Sequence, residues 1–97
     1  MHQLVIKPRA INMQSDAYQR YEEKQKGLGE LFLEELDECI GKLQTQPMVY
    51  SYAEPGYRYL ILRKVPFVIV YKIIKTTVVV YAVFHTNRNP KEKFKRK

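Results

Sequence analysis

Between residues 9 and 44 the apolar side chains recur at helical spacing. From residue 48 onward that rhythm gives way to runs of β-branched and aromatic residues. A chain with this switch of period folds as helices followed by a sheet, which places it in the α+β class. The helical part is itself divided. Ala10, Met13, Ala17 and Tyr21 share one face over residues 9–26, and Tyr18 widens the stripe. Phe32, Leu36, Ile40 and Leu43 do the same over residues 30–44, with Leu33 and Cys39 beside them. Gly27-Leu28-Gly29 between the two segments allows a tight reversal, so they form an antiparallel helical hairpin. Pro8 opens the first helix, where a missing N–H is tolerated, and Pro47 keeps the second from being extended. Glu34, Glu35, Asp37 and Glu38 are assigned mostly to the solvent side of the second helix.

Four strands are expected, over residues 3–7, 57–62, 65–75 and 77–84. Pro66 falls near the start of the third, where a strand tolerates proline best. The fourth is almost all β-branched or aromatic and suits a strand buried on both faces. Residues 48–55 are assigned to a loop, and the break at Lys75-Thr76 suggests a hairpin. The expected architecture is β-α-α-β-β-β, an antiparallel four-stranded sheet with an N-terminal helical hairpin packed on one face. One domain spans residues 1–97, ending in a basic tail over 86–97.

The chain is long enough to bury a core without metal or disulfide support, since 45% of its 97 residues are apolar. Cys39 is the only cysteine, so an internal disulfide is excluded and the thiol is assigned to helix packing. Residues 1–9 lack the apolar stretch of a secretory signal, and the longest apolar run, 78–84, is far short of the ~20 residues a membrane helix needs. The expected location is the cytoplasm, with no membrane partner. The net charge of +7 is unevenly spread: residues 1–57 carry six Lys/Arg against nine Asp/Glu, whereas residues 58–97 carry eleven against Glu92 alone. That asymmetry points the C-terminal half at an anionic partner, unless it only keeps a solvated tail soluble.

Several short motifs occur in order. Ala10, Ala17, Tyr18 and Tyr21 lie in the first helix; Tyr21 leads into the Gly-x-Gly turn, followed by Phe32 and Leu36, then Leu43 and Pro47. Gly56 and Arg58 form G-x-R; Pro66-Phe67 precedes Tyr71; Ala82-Val83, His85, Arg88 and Pro90 form A-V-x-H-x-x-R-x-P. Over nearly the whole chain this pattern resembles the RelE/ParE toxin superfamily, and the hairpin resembles the ParE-like branch. Met13-Gln14, Asn89 and Phe94 stand where that family often has an acidic-Leu pair, Asp and an earlier aromatic residue.

The resemblance implies the toxin of a bacterial type II toxin–antitoxin system, bound and neutralised by a cognate antitoxin in a hetero-oligomer. Two targets are open. A ParE-like toxin implies inhibition of DNA gyrase, for which Arg58, His85, Arg88, Lys91, Lys93, Lys95 and Arg96 are the candidate contacts. A RelE-like toxin implies metal-independent cleavage of mRNA on the ribosome. That chemistry needs a base, an acid and a cationic clamp, for which Arg58, Arg63, Lys64, His85 and Arg88 are the candidates. His85 is the obvious group that titrates near neutrality, although it could equally hydrogen-bond the following loop. A third reading is a non-catalytic basic nucleic-acid-binding module that uses its tyrosines for stacking. No cofactor or metal is expected. The resemblance of the hairpin to the ParE-like branch favours gyrase.

Overall fold

The computed structural model describes residues 1–86. Strand β1 (Gln3–Ile6) leads into helices α1 (Pro8–Lys24) and α2 (Leu28–Thr45). After a single 3-10 turn (Pro47–Val49) come β2 (Tyr52–Glu54), β3 (Tyr57–Ile61), β4 (Phe67–Ile74) and β5 (Thr77–His85). The helical hairpin and the β3-β4-β5 meander are as expected, but the sheet has five strands in the order β1-β5-β4-β3-β2. The expected four-stranded antiparallel sheet is corrected on two points. Residues 52–54, assigned to the loop, form an edge strand, and β1 pairs with β5 in parallel. A three-residue strand is too short to show a period. It arises because Pro55-Gly56 turns the chain back, with Gly56 at φ +86°, a region that favours glycine.

The hairpin reversal depends on two glycines and one acid. Gly27 precedes α2 at φ +95°. Glu22 on α1 accepts the N–H of Gly27 at 3.1 Å and that of Gly29 at 2.7 Å, which satisfies donors that a helix start leaves open. A Cβ on Gly29 would lie 2.7 Å from the Tyr18 ring, so glycine sets how closely the helices approach.

The helices pack on one face of the sheet. Ala10, Ala17, Phe32, Leu36, Cys39 and Leu43 meet Ile69, Tyr71, Val78, Val80 and Val83 there. Tyr21, Phe32 and Phe67 join α1, α2 and β4, with ring centroids 5.0–5.8 Å apart. On the other face Val68, Val70, Ala82 and Phe84 are buried, with Tyr57 and Tyr59 of β3 packed against them. A β-bulge explains how β5 serves both faces. Val70 pairs with Ala82 but Tyr71 pairs with Val80, so Tyr81 is an extra residue. The side chains that follow change face, which puts Val83 with Val78 and Val80 against the helices. Among the described residues no helix is long and apolar enough to cross a membrane.

Candidate functional site

The antiparallel register brings three of the candidate residues to one end of the sheet. β3 ends at Ile61, the chain turns through Arg63 and Lys64, and β4 begins at Phe67, which pairs with His85 at the end of β5. The Thr86 N–H donates to Pro66 O at 2.8 Å, joining the β3–β4 turn to the chain leaving β5. Arg63 and Lys64 are exposed, while His85 is half-buried with its ring edge-on to Phe67 at 5.4 Å. The arrangement presents two exposed cations and an imidazole at one end of the sheet, which suits an anionic surface.

The turn is held from inside the protein. Glu35 on α2 is buried, and its Oε2 accepts the Arg63 N–H at 2.8 Å. That N–H is the main reason the carboxyl titrates below its ordinary range. Burial opposes the shift, and the Lys64 N–H together with the charges of Lys64 and Lys42 assist it. The assignment of Glu35 to the solvent side is therefore corrected: α2 turns this carboxylate inward because a tertiary partner is waiting for it.

A cleft of about 430 Å³ opens beside His85, with Met13, Asp16, Arg20, Tyr21 and Lys24 of α1 on its other wall. The Tyr21 hydroxyl is buried and, among the described residues, has no hydrogen-bond partner. Burial pushes its pKa up, so it stays a neutral donor. Arg20 and Lys24 were not among the expected site residues. Their i, i+4 spacing next to Tyr21 was visible, but nothing local showed that this flank of α1 faces the end of β5.

Arg58 stands elsewhere. On β3 it pairs with Tyr71 and shares the helix-bearing side of the sheet. Its guanidinium donates to Met48 O at 3.0 Å, to Tyr50 O at 2.6 Å and to the Tyr52 hydroxyl at 3.0 Å, and lies 4.2 Å over the Tyr52 ring. It fastens the 3-10 turn and β2 to β3. Arg58 is five residues from Arg63, which along an extended strand is about 16 Å. The structure therefore gathers Arg63, Lys64 and His85 but leaves Arg58 out. Arg88, Lys91, Lys93, Lys95 and Arg96 lie outside the described residues.

The sheet face away from the helices carries an aromatic and cationic row. Tyr57 and Tyr81 meet edge-on at 5.3 Å, with Lys7 Nζ 5.7 Å from the Tyr81 ring centre and Lys72 Nζ 5.0 Å from that of Tyr57. Beneath it, along the middle of β4 and β5, the side chains are Val68, Val70, Ala82 and Phe84. Among the described residues no group of three His, Cys, Asp or Glu side chains could hold a metal ion.

A helical hairpin on one face of a mixed five-stranded sheet is a fold that this chain shares with solved ParE and RelE toxins. The model of the family described as ParE toxin of type II toxin–antitoxin system, parDE, matches residues 4–90, and the chain belongs to that family. Solved structures of the same fold include the chromosomal ParDE system of P. aeruginosa, at TM-score 0.67 and 16% identity over 88% of this chain and 96% of that one. The isolated E. coli RelE toxin is similar at TM-score 0.68 and 21% identity, over 99% of this chain and 98% of that one. The toxin in the intact E. coli RelBE complex matches at TM-score 0.68 and 19% identity, over 91% and 100%. No curated protein matches the sequence.

Proposed function

We propose that this toxin acts by binding DNA gyrase, and that a cognate antitoxin neutralises it by forming a hetero-oligomer with it. The observation that carries the choice of target is the position of Arg58. A ribonuclease site needs its cations converged on one phosphate. Here the Arg58 fork is engaged with the Met48 and Tyr50 carbonyls and faces away from the end of the sheet that holds Arg63, Lys64 and His85. Binding to a large enzyme needs only a complementary surface, which that end provides. The match to the ParE family model supports the same choice.

The antitoxin is supported by the P. aeruginosa ParDE and E. coli RelBE systems, which share this fold. Exposed Val5, Ile61 and Ile74 on a basic protein suit an acidic amphipathic helix. The test is supercoiling by purified gyrase with added protein. Loss of supercoiling with trapped cleaved DNA is expected, and unchanged supercoiling would rule the reading out.

A second reading, ribosome-dependent mRNA cleavage, draws on the grouping of His85 with Arg63 and Lys64 and on the likeness to RelE. It predicts new 5′ ends on cellular mRNA after brief induction, lost in His85→Ala. Prompt filamentation and a DNA-damage response without such ends would exclude it.

A further inference from the structure

Glu35 is the one charged side chain buried among the described residues, at 5% exposure. It sits on α2 between Phe32, Leu36 and Cys39, all part of the core. An apolar side chain there would avoid the cost of removing a carboxylate from water, which a buried charge repays only with good hydrogen bonds. The bonds it makes converge on one place. Oε2 accepts the Arg63 N–H at 2.8 Å, the Lys64 N–H turns toward the same carboxylate, and the Cys39 thiol approaches Oε2 at 3.9 Å. The β3–β4 turn has three further backbone bonds, Leu62 N–H to Phe67 O at 2.9 Å, Phe67 N–H to Val65 O at 2.8 Å and Thr86 N–H to Pro66 O at 2.8 Å. These close its base and leave its tip to Glu35.

We infer that Glu35 is a positioning residue: reaching from α2 through the core, its carboxylate holds the tip of the β3–β4 turn so that Arg63 and Lys64 stand beside His85 at the target-facing end of the sheet. The words "target-facing" rest on the function proposed above, whereas the hold on the turn does not. The charged and titratable groups around the carboxylate are Arg63 and Lys64 on the turn and Cys39 and Lys42 on α2, with Glu38 acting on Cys39. Because the turn that carries Arg63 and Lys64 is pinned to a helix, these cations lose less conformational entropy on binding than they would on a free turn.

The experiment uses the full chain with Glu35→Gln, which keeps the side-chain volume and removes the charge. Glu35→Ala serves as a second variant, and the double variant Arg63→Ala/Lys64→Ala as the reference. Amide hydrogen exchange at Arg63 and Lys64 is measured by NMR, and gyrase inhibition by supercoiling. With Glu35→Gln, exchange at these two amides should be at least tenfold faster while amides of β4 and β5 are unchanged. The inhibitory concentration should rise severalfold, approaching that of the double variant. In the wild type, extra protection of the two amides should fall as the carboxyl is protonated, and in Glu35→Gln it should not depend on pH. Unchanged exchange in Glu35→Ala, which has no acceptor, would overturn the hold on the turn. Faster exchange with wild-type inhibition by the folded variant would overturn the positioning role. If the wild type itself leaves gyrase untouched, the proposed function fails and "target-facing" with it, while the exchange data still decide the hold.

Discussion

The guanidinium of Arg58 lies over the Tyr52 ring, 4.2 Å from its centre, while donating to the Tyr50 carbonyl at 2.6 Å. One side chain thus replaces the regular hydrogen bonding that the three-residue β2 cannot supply. Arg58→Ala should lower stability by about 2 kcal/mol, from lost charge-assisted hydrogen bonds and cation–π contact. Arg58→Lys should recover little of that, because a shorter side chain ending in an ammonium loses both the contact of the planar group with the Tyr52 ring and the second nitrogen that donates to the Tyr52 hydroxyl. Urea unfolding checks both. Folded Arg58→Ala should still inhibit gyrase if the end of the sheet is the working surface.

Tyr71 and Tyr18 provide a contrast between buried and exposed hydroxyls. Tyr71 is fully buried and donates to Pro47 O, and burial raises its pKa far above the usual tyrosine value, so it remains a donor. Tyr71→Phe strands the Pro47 carbonyl and should cost roughly 1–3 kcal/mol. The Tyr18 hydroxyl donates to Glu30 at an exposed position. Tyr18→Phe should change stability by less than about 0.5 kcal/mol in the same unfolding assay.

Gly29 is the point of closest approach in the helical hairpin. Gly29→Ala puts a methyl group 2.7 Å from the Tyr18 ring and 2.8 Å from Glu22 Oε1. Parting the helices should cost roughly 1–3 kcal/mol, as overpacking does elsewhere. The thermal midpoint should fall, and Tyr18→Ala in the same chain should restore part of the loss.

Glu35 makes stability depend on acid. Its folded pKa lies below the ordinary 4.5, held there first by the Arg63 N–H, so the folded state favours the charged form. The stabilisation is therefore fully present above pH 4.5 and disappears as the pH falls through the lower folded value. The wild type should lose more unfolding free energy between pH 7 and pH 3 than Glu35→Gln, by chemical denaturation at each pH. Equal losses would show that the carboxylate has no such role.

Much of this was visible in the chain. Ala10, Ala17, Phe32, Leu36 and Leu43 declare two helices and their buried faces, because a helical face is set by residues a few positions apart. Val78, Val79 and Val80 likewise declare a strand buried on both sides. The site was only half legible. Arg63, Lys64 and His85 were picked as candidates by residue type and motif, yet the same reasoning grouped Arg58 with them and sent Glu35 to solvent.

The sequence by itself determined the helical hairpin, the three-stranded meander and a basic second half, because periodicity, glycines and prolines act locally. The tertiary structure alone decided the parallel pairing of β1, the recruitment of β2, the extra residue at Tyr81 and the direction in which Arg58 and Glu35 point. Each of these depends on a partner distant in the chain. The Arg63 N–H that claims Glu35 lies 28 residues away, and no window around either residue contains the other's unsatisfied group.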